Sequence, residues 1–305
     1  MNIIYMGTPD FAVPALKALA NSQHNVLAVF TQPDKPKGRK MVLTPPEVKV
    51  CAQSLNIPVY QPQTFKDGEA LKIITDLAPD VMVVAAYGKI LPKAVLDVPK
   101  YGCVNIHGSL LPKYRGSAPI QQAVLNGDKV TGITTMLMDV GVDTGDILLT
   151  SQTSIGENET SGELFDRLAD MGGELILETL SALENGTVVP QKQDEGLASH
   201  TSKIDKSYCP IDFSLSANKV HNKVCGLNPW PVATTVLDGK NIKVFSTRVC
   251  SQNGAYGTIL SVKPLIVACG ENSVEIIELQ PEGKKRMTAS AFVAGHKLCV
   301  GDKLG

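Results

Sequence analysis

The feature that most constrains this chain is a regular beat of short apolar runs and amphipathic segments. Asn2 to Met6 is apolar, Gly7-Thr8-Pro9-Asp10 turns, Ala12 to Ala20 has helical apolar spacing, and Asn25 to Phe30 is again strand-like. That is the opening of a β-α-β unit. The beat continues with a helix from about Pro46 to Leu55, a strand at Pro58 to Tyr60, a helix from Gly68 to Leu77 and a strand at Val81 to Ala85. Gly102 to Ile106 is a fifth strand. Strands alternating with helices predict an α/β fold.

The expected architecture is an open, mostly parallel, Rossmann-like sheet. Ile133 to Met138 and Ile147 to Ser154 add strands that fit an antiparallel arrangement. Ser161 to Leu183 reads as a long helix with Ser161 placed to cap it and Glu163 in the first turn. Beyond it the chain turns polar. One short helix, Ser216 to Val224, then precedes strands at Val232–Leu237, Asn241–Val249, Tyr256–Val262, Leu265–Ala268 and Ser273–Leu279, with glycines near their turns. Short strands at that density predict a small β-barrel of OB-like type. With 305 residues, two domains are the natural expectation. We place the first at 1–188, a linker at 189–206 and the second at 207–305.

Net charge is only −1, so nothing global marks a nucleic-acid binder. The charge is uneven, however: residues 1–202 have 16 Lys plus Arg against 22 Asp plus Glu, and residues 203–305 have 13 against 8. Opposite signs in the two stretches suggest different partners, a polyanion for the second among them. The seven cysteines include no CxxC pair, which argues against a zinc knuckle and a disulfide framework and for a reducing, cytoplasmic setting. The N-terminal MNIIYMGTPDF reads as a strand, not a signal peptide, and no apolar run approaches a membrane span.

The chemistry concentrates in CVNIHGSLLPKYRGSAPIQQAVLNG, where an apolar strand runs into Asn105 and His107. In a doubly wound sheet ligands bind beyond the carboxyl ends of the strands. Asn105 offers an amide donor and His107 an acid–base group. MDVGVDTGDIL, joining two strands, holds Asp139, Asp143 and Asp146 around two glycines and is placed to fold over the same rim. An amide with an imidazole–carboxylate pair suits acyl chemistry at a carbonyl. The plainer reading is a turn-forming Asn and a hydrogen-bonded core histidine, with Asp143 in turn chemistry. Cys103 shares the face of Asn105 and His107 but belongs to the apolar run and reads as core. There is no G-x-S-x-G elbow, no Walker A motif, and one glycine in MGTPDF where a dinucleotide fingerprint needs three. Thr31 to Thr44, TQPDKPKGRKMVLT, crowds Lys35, Lys37, Arg39 and Lys40 around Pro36 and Gly38. It reads as a loop: either a basic arm for a phosphate backbone or solvated surface.

The motifs together resemble the methionyl-tRNA formyltransferase family, within the wider 10-formyltetrahydrofolate-dependent formyltransferases. MGTPDFAVPAL and TQPDKPKGR resemble its N-terminal part, NIHGSLLPKYRGSAPIQ and MDVGVDTGDIL its formyl-transfer signatures, and NKVCGLNPWPVATT with GKKRMTASAFVAGHKL its second domain. The resemblance implies transfer of a formyl group from 10-formyltetrahydrofolate to the α-amino group of methionyl initiator tRNA. It implies catalytic roles for Asn105, His107 and Asp143, and a folate pocket lined by Ser109, Leu110, Leu111 and Pro112. It also implies tRNA contacts from Lys35, Lys37, Arg39 and Lys40, with Arg39 as the loop arginine. No metal is expected, and a single chain carries the whole crevice. Arg115 is expected to brace that crevice by pairing with a carboxylate of the 139–146 loop. The rivals are formyl transfer to a small amine, glycinamide ribonucleotide or a sugar nucleotide, and an inert tRNA-binding module.

Overall fold

The structure, a computed structural model, describes residues 1–38 and 41–305. The first half contains β1 (Asn2–Gly7), α1 (Val13–Ala20), β2 (Asn25–Phe30), β3 (Lys35–Lys37), β4 (Val42–Thr44), α2 (Glu47–Ser54), β5 (Val59–Tyr60), α3 (Glu69–Leu77), β6 (Val81–Ala85), α4 (Lys93–Leu96) and β7 (Cys103–His107). Then come β8 (Arg115–Gly116), α5 (Pro119–Asn126), β9 (Val130–Leu137), β10 (Ile147–Ser154), α6 (Ser161–Glu184) and β11 (His200–Thr201). The last third holds α7 (Ala217–Gly226), β12 (Ala233–Leu237), β13 (Lys240–Cys250), β14 (Ile259–Val262), β15 (Leu265–Ala268), β16 (Ser273–Pro281), β17 (Met287–Thr288) and α8 (Ala289–Ala294).

Two compact units form. The first takes residues 1–116, 132–153 and 165–200; the second takes 117–131, 154–164 and 201–305. The first is built on a seven-stranded sheet in the order β10-β9-β7-β6-β1-β2-β5. The pairs β7–β6, β6–β1, β1–β2 and β2–β5 are parallel and β7–β9 is antiparallel. The expected α/β, mostly parallel sheet is therefore present. Its strands are apolar without alternation because both faces are covered: Ile3 to Met6 and Val81 to Ala85 are buried throughout. Ile4, Met6, Phe30, Met82 and Val84 share one core cluster with Cys103. Burial pushes the Cys103 thiol up to about 12, so the core reading of that residue holds.

The second unit has a separate antiparallel sheet in the order β12-β13-β16-β15-β14, with β17 on β16. Its core gathers Phe213, Val220, Val224, Val244, Ile276 and Phe292. Irregular register at Val244, Ser246 and Thr247 bends the long strand β13. Helix α5 was not expected, although Pro119 opens it and Gly127, at φ +74°, closes it. It lies against α7, where a Cβ on Gly226 would fall 2.7 Å from Leu125 Cγ.

Two local expectations need correction. The cap of α6 is Thr160, not Ser161: Glu163 N donates to Thr160 Oγ1 at 3.2 Å, and Thr160 N donates back to Glu163 Oε2 at 2.9 Å. That is a reciprocal capping box, and the backbone bond from Thr160 holds the Glu163 carboxyl below its usual range. Ser161 instead donates its hydroxyl to Asn228 O at 2.8 Å. The basic stretch after β2 is not all loop either, since β3 and β4 pair antiparallel as Lys35↔Thr44, Pro36↔Leu43 and Lys37↔Val42. Its side chains are largely exposed, so no apolar alternation announces it.

Candidate active site

Strand β7 carries Asn105 and His107 two residues apart, hence on one face. Both are buried, at 9% and 6% exposure. The third group arrives from the loop between β9 and β10. Because β9 runs antiparallel to β7, with His107 opposite Thr134 and Val104 opposite Leu137, the chain leaves β9 beside the start of β7. The loop then folds back, and its Asp143 carboxylate reaches Asn105, His107 and Gly116 N. Asp143 sits at φ +56°, a left-handed conformation that Asp tolerates better than most residues.

The Asp143 carboxylate ties the three together. Its Oδ1 accepts from Asn105 Nδ2 at 3.4 Å, and its Oδ2 accepts from Gly116 N at 2.8 Å. His107 Nδ1 lies 3.6 Å from Oδ2, an electrostatic contact longer than a hydrogen bond. The other ring nitrogen, Nε2, lies 3.0 Å from the backbone carbonyl of Tyr114. A carbonyl only accepts, so Nε2 carries the proton and, in the neutral ring, Nδ1 is the free base facing Asp143. The sequence-expected trio Asn105, His107 and Asp143 is thus brought to one place.

The turn after His107 is tightly bonded. Ser109 is buried, its hydroxyl donating to Lys113 O at 2.6 Å and its carbonyl accepting from Thr134 Oγ1 at 2.7 Å. Leu111 is buried and its N–H donates to Thr134 Oγ1 at 3.1 Å. Leu110 and Pro112 are half-exposed. Lys35 and Lys37 are exposed on the β3–β4 hairpin, Lys37 pairing with Glu47 at 2.7 Å. Arg39 and Lys40 lie outside the described residues.

Arg115 braces the site as part of a network whose other members, Glu195 and Gln193, escaped the sequence reading. Arg115, 1% exposed, makes a bidentate pair with Glu195 at 3.0 and 2.8 Å, and its Nε donates to Gln193 Oε1 at 3.0 Å. Its bidentate carboxylate is Glu195, outside the 139–146 loop, while Asp139 and Asp143 of that loop act on the guanidinium through their charge. The guanidinium hydrogen bond holds Glu195 below the usual carboxylate range. Arg115 reaches the loop through Gln193, whose Nε2 donates to Asp143 O and Gly145 O, both at 2.8 Å. At the carboxyl ends of the parallel strands, Thr8 Oγ1 donates to Tyr87 O at 2.9 Å, and Gln32 Nε2 donates to Tyr87 O and Gly88 O at 3.1 Å each. These bonds link the loops after β1, β2 and β6, where the strand order reverses and open α/β sheets bind ligands. Among the described residues, no group of three or more His, Cys, Asp or Glu is placed to hold a metal ion, and no helix is long and apolar enough to cross a membrane.

Comparison with known proteins agrees with a group-transfer site of this class. Residues 1–180 match the family model "Formyl transferase", and residues 203–297 match "Formyl transferase, C-terminal domain". The chain is 49% identical over 307 residues to the methionyl-tRNA formyltransferase of Citrifermentans bemidjiense, covering 100% of this chain and 96% of that one. It is 49% identical over 312 residues to the enzyme of the same name from Acetivibrio thermocellus, covering both chains completely at 100%. The chain belongs to the methionyl-tRNA formyltransferase family. Its fold is also that of an N-formyltransferase from Helicobacter canadensis in complex with folinic acid and dTDP-3-aminofucose, with TM-score 0.69, 18% identity, and coverage of 90% and 98%. The sugar 3N-formyltransferase WlaRD is similar at TM-score 0.68 and 19% identity, with coverage of 93% and 99%.

Proposed function

We infer that this protein transfers the formyl group of 10-formyltetrahydrofolate to the α-amino group of methionine esterified to initiator tRNA. The observation that carries this reading is the likeness at 49% identity through both parts of the chain, the C-terminal part included. The small-amine formyltransferases share the fold at only 18–19% identity.

10-Formyltetrahydrofolate supplies the formyl carbon as a substrate. The residues available to it fit. Half-exposed Leu110 and Pro112 follow β7, and exposed Ile90 follows the neighbouring strand β6. Apolar surface beside backbone polar groups suits a flat, polar-edged pterin. Ser109 and Leu111 shape this turn from beneath. As the amine of methionine adds to the formyl carbon, negative charge grows on the formyl oxygen, and the Asn105 amide stabilises it. The tetrahedral adduct then collapses, the bond from the formyl carbon to N10 breaks, and tetrahydrofolate leaves carrying at N10 the proton the amine gives up. His107 works through Nδ1, since Nε2–H is committed to the Tyr114 carbonyl. A proton arriving at Nδ1 gains the Asp143 carboxylate 3.6 Å away. Asp143 also takes one Asn105 N–H at 3.4 Å, so a single carboxylate orients both partners.

The tRNA is held by charge. Lys35, Lys37, Arg39 and Lys40 grip the acceptor end, and the second part of the chain, an OB-like barrel with 13 Lys plus Arg against 8 Asp plus Glu, contacts the tRNA body. The enzyme acts in the cytoplasm as a single chain. Purified protein given the folate donor and a choice of acceptors tests the reading. Formylation of methionyl initiator tRNA alone supports it. Formylation of glycinamide ribonucleotide or an amino-sugar nucleotide, with methionyl-tRNA untouched, overturns it, as does no transfer at all.

A further inference from the structure

We propose that residues 193–199 form a strap that sets the chemistry of the site, with Gln193 and Ser199 as positioning residues for Asp143 and His107. The stretch was expected to be linker, yet its side chains are used inward. The proposal rests on the roles given above to His107 and Asp143.

Gln193 is oriented by necessity. Arg115 has only donors, so the oxygen of the Gln193 amide must face Arg115 Nε, at 3.0 Å. The Nε2 group then faces the β9–β10 loop and spends its two donors on the carbonyls of Asp143 and Gly145, at 2.8 Å each. These bonds clamp the loop at a residue with φ +56°, a conformation uncommon outside glycine that needs support from its surroundings. Glu195, two residues on, completes the anchor through its bidentate pair with Arg115.

Past the turn at Glu195–Leu197 the strap meets the other half of the site. Ser199 N donates to Pro112 O at 3.2 Å, and Ser199 O accepts from Arg115 N at 2.8 Å. Its hydroxyl accepts from Tyr114 N at 2.9 Å. Tyr114 is held at φ +62°, unusual for a bulky residue, and it is the Tyr114 carbonyl that takes the proton of His107 Nε2 at 3.0 Å. Ser199 therefore fixes which nitrogen of His107 is free, and Gln193 fixes where Asp143 stands relative to it.

The test uses full-length Gln193→Glu, Ser199→Ala and Ser199→Thr. Gln193→Glu keeps an acceptor for Arg115 but turns an oxygen toward two carbonyls. Ser199→Ala removes the acceptor for Tyr114 N, and Ser199→Thr restores it. Gln193→Glu and Ser199→Ala should lower kcat by about 100-fold, the scale of a misplaced catalytic group, with KM for both substrates nearly unchanged. Ser199→Thr should recover most of the rate. Independently of activity, the ring ¹⁵N signals of neutral His107 should report the Nε2–H tautomer in wild type and a tautomer mixture in Ser199→Ala. Wild-type kcat in Gln193→Glu and Ser199→Ala, or an unchanged His107 tautomer in Ser199→Ala, overturns the strap. Asp143→Asn serves as the control on the underlying reading. If it keeps full activity the reaction assignment falls, and the His107 signals alone still decide whether the strap exists.

Discussion

At His107 the two ring nitrogens have different fates. Nε2 is spent on a backbone carbonyl and Nδ1 is left toward a carboxylate. The arrangement makes one proton-exchanging nitrogen out of two, which is what a general acid–base group needs if it is to act at a single spot. Asp143 has a double task, since the same carboxylate that faces Nδ1 also takes a bond from Asn105 and another from Gly116 N. Asp143→Asn keeps the shape and removes the charge. We expect a lower kcat, read from steady-state kinetics with both substrates saturating. A wild-type kcat would remove Asp143 from the proton path. Asn105 and His107 were legible in sequence for a physical reason: an apolar, buried strand tolerates an amide and an imidazole only where something pairs with them. Among Asp139, Asp143 and Asp146, only the family resemblance singled out Asp143. Gln193 and Ser199 were not legible. They lie in a polar stretch without periodicity, and their partners are backbone groups of residues about 50 to 85 positions away, which sequence pattern does not encode.

Elements differ in how plainly they announce themselves. The parallel strands were readable because burial on both faces makes them continuous apolar runs. The β3–β4 hairpin was not, since its residues face solvent and leave no alternation. Helix α5 carried its signals, Pro119 and Gly127, but followed directly on a stretch that reads as loop. The cap of α6 was misplaced by one residue because Thr160 and Ser161 are both good caps; the Thr160-x-x-Glu163 spacing decides between them. The β9–β10 loop depends on Gly145, where a Cβ would lie 1.6 Å from Leu137 O. Gly145→Ala must therefore push the loop away from the strand, at a cost of about 1–3 kcal/mol, and displace Asp143. Urea unfolding and kcat measured together should both fall, and wild-type kcat would show that the loop position is immaterial. In the basic stretch after β2, Arg39→Ala should raise KM for methionyl-tRNA and leave KM for the folate donor unchanged. An unaltered tRNA KM would make Arg39 ordinary surface.

For the whole molecule, the chain is folded as two units that interleave in sequence, the second borrowing residues 117–131 and 154–164. That is why the change in composition near residue 189 is an incomplete guide to what packs with what. Both cores bury thiols. Burial raises Cys103 to about 12 and Cys225 and Cys269 to about 11, against 9.0 for a free thiol. Above pH 9 the unfolded chain sheds thiol protons that the folded chain keeps, so stability is whole below that value and declines as pH rises toward 11 to 12. The urea midpoint should accordingly be lower at about pH 10 than at about pH 7; an equal or higher midpoint would show that these thiols are not buried as described. The central claim is that Asn105, set beside His107 and Asp143, stabilises the formyl oxygen while the group passes to methionyl initiator tRNA. Single-turnover formylation of that tRNA by wild type and Asn105→Ala tests it most directly. The account predicts a rate lower by about 10²–10³ in the variant, with folate affinity nearly unchanged; a variant retaining more than about half of the wild-type rate would contradict it.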